Sequence, residues 1–143
     1  MSDADNIDRF NKIASETFAM LYSYFPQGCN FGPEDFDTPK DQFGGVTRED
    51  AAFVFSTVKW LEEEGYLRTK GASLAGDFHG TVLTGKGLAV LKLVPDALAN
   101  PAPLGEQIQA AVKSGSLTVA KTLLTTALDV GVKYTLARAG FPA

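Results

Sequence analysis

The sequence predicts an α+β fold with three helices and a β-hairpin in its core, followed by a C-terminal extension of two helices. Two observations predict the core. Apolar residues recur at three- and four-residue steps over 7–25 and again over 51–61, as in amphipathic helices. Two short runs rich in β-prone residues, 66–68 and 78–83, flank a glycine-containing segment, which is typical of a hairpin. The extension is predicted by helical patterning that resumes at Leu104.

The first predicted helix runs from Ile7 to Phe25, with residues 1–6 frayed, and ends before Pro26. Its expected buried stripe is formed by Ile7, Phe10, Ala14, Phe18, Leu21 and Phe25. Residues 29–46 are rich in Gly, Pro and Asp. One helical turn is expected at 33–36, and residues 37–46 are expected to form a long loop.

Thr47 is the expected N-cap of the central helix, because Asp50 follows three residues later as in a capping box. Gly65 is the expected stop. Residues 69–77 then form the predicted hairpin tip, and Thr84 the expected cap of the third helix, which ends before Pro95.

The predicted domain boundary lies at residue 95. Residues 1–95 form the core domain, and residues 96–143 form a proline-containing linker with a helical tail. The Asn100–Pro103 stretch is expected to act as a semi-rigid spacer. The tail is predicted as a short helix over 104–113, a break at 114–116 and a longer helix from Leu117 to about Arg138.

Composition favours an ordered domain with a protein-facing role. The 143 residues are 45% hydrophobic and 21% charged, as in globular proteins. Residues 1–70 carry thirteen acidic and seven basic side chains, a net charge of −6, which repels nucleic-acid phosphates, whereas residues 71–143 carry +2. A single cysteine and an acidic, polar start without signal-peptide character predict a cytoplasmic protein, and no membrane span is expected.

Two sequence stretches, 60–68 (WLEEEGYLR) and 83–88 (LTGKGL), resemble signatures of the winged-helix superfamily. The resemblance covers roughly Ile7 to Val94. It implies a winged-helix core in which Thr47 to Glu64 is the recognition helix and 69–77 is the tip of the wing. The superfamily includes both DNA readers and protein-docking modules, so the resemblance predicts fold rather than function.

The cations that a DNA reader would use are sparse. The candidates for phosphate contact are Arg48, Lys59, Lys70 and Lys86. The central helix, however, begins with Arg48 followed by Glu49 and Asp50, and the wing sets Lys70 against Asp77, which departs from the DNA-reading pattern. Nucleic acid is therefore disfavoured as a partner, and a DNA-binding regulator acting as a dimer stays as the alternative.

Two large aromatic residues lie off the buried stripe of the central helix. Phe53 and Trp60 are seven residues apart, so they lie within about 20° of each other on the helix, away from the stripe. Either the tail or the 37–46 loop covers them, or they anchor a protein partner or second subunit.

The long tail helix has a second candidate interface. Small residues at Ala120, Ala127 and Gly131 run down an apolar arc that also holds Leu124 and Leu128. A stripe of this kind permits close approach of another helix. Two alternatives are open: the tail folds back on its own domain, or it mediates dimerisation.

No catalytic, metal or cofactor site is predicted. Residues 80–86 match part of a phosphate-binding loop, but Gly87 replaces the required hydroxyl and 81–83 are strand-like. One cysteine, Cys29, and one histidine, His79, have no ligand spacing around them. We therefore expect a non-enzymatic regulatory module that mediates protein–protein interaction or oligomerisation, with a homodimer favoured. A small-ligand sensor with an apolar cavity between tail and core is a further alternative.

Overall fold

The computed structural model describes residues 3–93 and 102–140, and within them the fold is α+β as predicted. The described helices are α1 (Asp3–Tyr24), α2 (Arg48–Glu63), α3 (Gly85–Lys92), α4 (Leu104–Ser114) and α5 (Leu117–Arg138). The strands of the described part are β1 (Cys29–Phe31), β2 (Leu67–Arg68), β3 (Gly71–Ala72) and β4 (Phe78–Leu83), and one 3₁₀ turn covers Pro33–Asp35.

Helix α1 contacts α2, α4, α5 and β4. Ala14, Phe18 and Leu21 from its predicted stripe are at most 1% exposed. The two ends of the predicted stripe differ from the rest, since Ile7 is 55% exposed and Phe25 is 37% exposed. The helix also begins at Asp3, so the expectation of fraying through residue 6 was too broad.

Helix α2 begins and ends where local chemistry predicts. Thr47 is its N-cap, and its Oγ1 accepts a hydrogen bond from the Asp50 N–H at 3.1 Å. The chain leaves the helix at Gly65, whose φ of +90° lies in the left-handed region that glycine adopts readily. Val54, Val58 and Leu61 form the buried face of the helix.

Strand β4 is the centre of the antiparallel sheet. It pairs with β1 on one side and with β2 and β3 on the other. The β4 range agrees with the prediction, whereas β1 is a strand that the sequence did not predict. Because β1 has only three residues, alternation of polar and apolar side chains gives almost no signal there.

Helices α4 and α5 belong to the same hydrophobic core as the first 93 residues. Leu104 and Ile108 of α4 and Leu124 of α5 are completely buried within the cluster that contains Phe18 and Val58. The Leu104 N–H also donates to the Leu93 carbonyl at 2.8 Å, which joins the start of α4 to the end of α3. The predicted spacer and the boundary at residue 95 lie mainly in 94–101, outside the described residues, so they stay predictions.

Candidate protein-interaction groove

An apolar groove lies where α1, α2 and α5 meet, and we call it the Trp60 groove. It encloses about 520 Å³. Its lining consists of Ile7, Phe10 and Asn11 from α1, Phe53, Ser56, Thr57 and Trp60 from α2, and Leu128 from α5. Three helices therefore supply one continuous surface on which apolar side chains predominate.

Trp60 is the most prominent side chain of this groove. It is 41% exposed, and its ring packs edge-on against Phe10, with 5.3 Å between ring centroids and 88° between planes. Phe10 thus holds the indole in place while leaving much of it in contact with solvent. A rigid, half-exposed indole of this kind is typical of interface anchors.

Phe53 differs from Trp60 although both lie off the buried stripe. The Arg9 guanidinium lies 4.2 Å from the Phe53 ring centroid and is held there by Asp50 at 2.8 Å. One alternative was that the tail or the 37–46 loop covers both aromatic residues. The tail contributes only Leu128 of α5, as one wall of the groove. Phe53 is instead covered by Arg9, which belongs to α1.

Exposed apolar surface continues along α5 beyond the groove. Val132 and Leu136 follow Leu128 at four-residue steps, so the three residues share one side of the helix. Val132 is 57% exposed and Leu136 is 39% exposed. These residues extend the exposed apolar surface of α5 beyond Leu128. The sequence identified the groove lining only in part, because Ile7 and Phe10 were assigned to the core stripe.

Two ion pairs involve residues close in sequence to the groove lining. Asp8, next to Ile7, pairs with Lys121 at 2.6 Å. Lys59, next to Trp60, pairs with Glu62 at 2.8 Å, but successive helical positions are about 100° apart, so this pair lies on a different side of α2 from Trp60. Each pair contains one cation and one anion and therefore has no net charge.

The small-residue stripe of α5 is occupied by its own chain. Ala120, Leu124 and Ala127 are at most 3% exposed, and Gly131 is buried. A Cβ at position 131 would lie 2.1 Å from Tyr66 Oη, so the glycine admits the tyrosine ring. The interpretation of these four residues as a free dimerisation surface is therefore corrected: they form a packing face within the chain. Leu128, half-buried, is the member of that set that reaches the groove.

The four candidate phosphate contacts lie in different surroundings. Lys59 is paired with Glu62, and Lys86 donates to the Glu64 carbonyl at 2.8 Å while its ammonium lies 4.5 Å from the Tyr66 ring centroid. Burial lowers the pKa of Lys86. Arg48 and Lys70 are exposed, on α2 and on the hairpin respectively. Two of the four cations are thus engaged within the chain.

Metal-binding side chains do not form a cluster in the described residues. No three His, Cys, Asp or Glu side chains of that part lie close enough to hold a metal ion. Burial raises the pKa of the Cys29 thiol, which disfavours the reactive thiolate. The segment resembling a phosphate-binding loop is strand β4 followed by the Thr84 cap of α3, and a Cβ at Gly87 would lie 2.1 Å from the Tyr66 carbonyl oxygen. Packing therefore explains that glycine.

Within residues 3–93 and 102–140, no helix has the length and apolar character needed to cross a membrane. Comparison of the chain with protein-family models, with curated proteins and with solved structures found no match.

Proposed function

We propose that this chain is a non-enzymatic, cytoplasmic winged-helix module that forms a homodimer through the Trp60 groove and acts in a regulatory role. The observation that carries the proposal is the half-exposed Trp60, fixed against Phe10 beside the exposed Ile7. Apolar side chains gathered in this way mark a contact surface, because water is a poor solvent for them. The winged-helix assignment is supported by the order of helix, strand, helix and hairpin in residues 3–83.

A second copy of the chain is the occupant that this surface favours. A two-fold axis brings the same patch from each copy together, so the apolar side chains of one copy meet those of the other. The Asp8–Lys121 pair beside Ile7 is neutral as a unit, so the two copies do not repel each other through it. The apolar residues along α5 from Leu128 to Leu136 supply further surface for the contact.

Sedimentation velocity at increasing protein concentration tests the proposal. Ile7→Glu places a charge in the patch at a position outside the buried core, so we expect it to convert a dimer to a monomer without loss of helical circular dichroism. Leu74→Glu is the matched control, because Leu74 is fully exposed at the hairpin tip, away from the groove. A wild-type chain that stays monomeric at about millimolar concentration, or equal behaviour of the two variants, contradicts self-association through this groove.

The alternative of a DNA-binding regulator acting as a dimer is favoured by the exposed Arg48 and Lys70. It is opposed by Glu49 and Asp50 in the first turn of α2 and by the internal contacts of Lys59 and Lys86. A mobility-shift assay with duplex DNA at low salt separates the two functions. Tight binding with a steep salt dependence, lost in the Arg48→Ala, Lys70→Ala variant, would replace the docking function with DNA binding.

A further inference from the structure

A second cleft, separate from the Trp60 groove, lies between α1 and the α4–α5 pair, and we call it the Glu16 cleft. It encloses about 480 Å³, within the size range of small-molecule sites. Ala19 and Met20 of α1, Val112 of α4 and Leu117 of α5 contribute apolar walls. Leu117 is 38% exposed, so an apolar side chain at the cleft is left accessible to a ligand.

One end of the Glu16 cleft is polar and acidic. The Glu16 side chain is only 12% exposed. Its Oε1 lies 3.5 Å from Lys12 Nζ, and its Oε2 accepts the Asp37 N–H at 3.2 Å. Lys12 is shared with Asp37, whose Oδ2 lies 3.1 Å from the ammonium. Glu16 therefore has only a long contact with a cation that a second carboxylate also holds.

The charges that line the cleft leave an excess of one negative charge. Glu16, Asp35 and Asp37 are acidic, and Lys12 and Lys113 are basic. Burial raises the pKa of Glu16, and the opposing effects of Lys12 and the Asp37 amide do not cancel the rise. A further cation beside Glu16 would stabilise its charged form. Apolar walls with a few convergent polar groups and one perturbed carboxyl are the usual features of a ligand site.

We propose that the Glu16 cleft binds a small organic monocation, an amine with an apolar body, with its ammonium group beside the carboxylates of Glu16 and Asp37 and its apolar part against Met20, Val112 and Leu117. The volume accommodates a small molecule, the apolar walls select a hydrocarbon portion, and the excess negative charge selects a cation over an anion. The cleft makes no use of Trp60, so this inference is independent of the dimer proposal.

Calorimetric titration with three probes that contain six carbon atoms each tests the inference: n-hexylamine, 1-hexanol and hexanoate. We expect n-hexylamine to bind at least about tenfold more tightly than 1-hexanol, the factor for one charge-assisted hydrogen bond, and hexanoate to bind more weakly than both. Affinity for the amine should also fall as the pH is lowered through the titration of Glu16. Lys12 and Asp37 interact with Glu16 directly, and Asp35 and Lys113 are the other charged groups that line the cleft. Equal affinity for amine and alcohol, or no binding of the amine at about 10 mM, overturns the inference.

Two variants locate the binding, and a third serves as the control. Glu16→Gln keeps an acceptor for the Asp37 N–H, and we expect it to weaken n-hexylamine about tenfold while leaving 1-hexanol within about twofold. Ala19→Leu enlarges a side chain that lines the cleft and should abolish binding of both. Glu63→Gln removes an exposed carboxylate on α2 outside the cleft and should change neither. Circular dichroism confirms that each variant is folded, and unchanged amine binding in folded Ala19→Leu or Glu16→Gln overturns the assignment.

Discussion

Substituting Gly131 with alanine tests whether α5 packs on its own chain. A Cβ at this position would lie 2.1 Å from Tyr66 Oη and 2.7 Å from two ring carbons of the same side chain. The Tyr66 ring cannot move aside easily, because it is 2% exposed and packs edge-on against Phe18 with 5.6 Å between centroids. Either α5 or the tyrosine must therefore shift by more than about 1 Å to restore an ordinary contact.

Two opposing effects set the magnitude. Alanine in place of a helical glycine stabilises the helix by about 1 kcal/mol. Inserting a methyl group into a packed contact costs about 1–3 kcal/mol, and occasionally more. A contact as short as 2.1 Å places the cost near the upper end. We therefore expect the free energy of unfolding to fall by about 1–2 kcal/mol and the Tm by roughly 3–8 °C.

Urea denaturation followed by circular dichroism measures the change, with Gly85→Ala as the matched control. Gly85 is the first residue of α3, and no atom lies within 4 Å of its added Cβ, so that variant should be neutral or slightly stabilised. In a Tyr66→Phe background, which lacks the nearest atom, Gly131→Ala should cost less. If Gly131→Ala stabilises the protein as Gly85→Ala does, α5 does not pack on Tyr66 and the packing described above is refuted.

Three further predictions concern the groove, the Tyr66 hydroxyl and the α2 cap. Trp60→Ala removes roughly 100 Å² of exposed apolar surface, because Trp60 is 41% exposed and a tryptophan side chain has about 250 Å². Burying that surface contributes ~2.5 kcal/mol of binding free energy per copy, and twice that in a symmetric dimer. Sedimentation equilibrium should therefore show a Kd raised more than about a thousandfold, whereas Phe43→Ala, at an 87% exposed position, should leave it unchanged. Burial, with Glu64 and Asp129, raises the pKa of Tyr66 to about 12, so the neutral phenol is favoured in the folded state. The stability that comes from keeping the phenol neutral should be complete below the ordinary pKa of 10.0 and lost as the pH rises towards 12. The urea midpoint of the wild type, relative to that of the Tyr66→Phe variant, should therefore decline between pH 10.0 and about 12. Thr47→Ala removes the α2 cap and should lower the free energy of unfolding by about 1 kcal/mol, while Thr122→Ala, exposed on α5, should change it by less than about 0.5 kcal/mol.

The sequence by itself determined those features whose causes lie within a few residues. Thr47 and Thr84 cap helices because their hydroxyl oxygens accept hydrogen bonds from the backbone N–H groups three residues later, and Gly65 and Gly115 end helices in the left-handed region. The bounds of α5 and β4 followed from periodicity and flanking residues in the same way. Short-range interactions depend only on neighbouring residue types, so a single sequence is sufficient to predict them.

Features that depend on distant partners were decided by the tertiary structure. Strand β1 exists because Cys29 meets Thr81, and its three residues carry no pattern of their own. The helical periodicity placed Phe53 and Trp60 on one side of α2, but Arg9 from α1 covers only Phe53. The small residues of α5 predicted close packing, and the structure supplies the partners from far earlier in the chain: Tyr66 packs on Gly131, and Ser15 donates to the Ala120 carbonyl. A pattern of side chains specifies which face is apolar; which surface covers that face depends on how the whole chain folds.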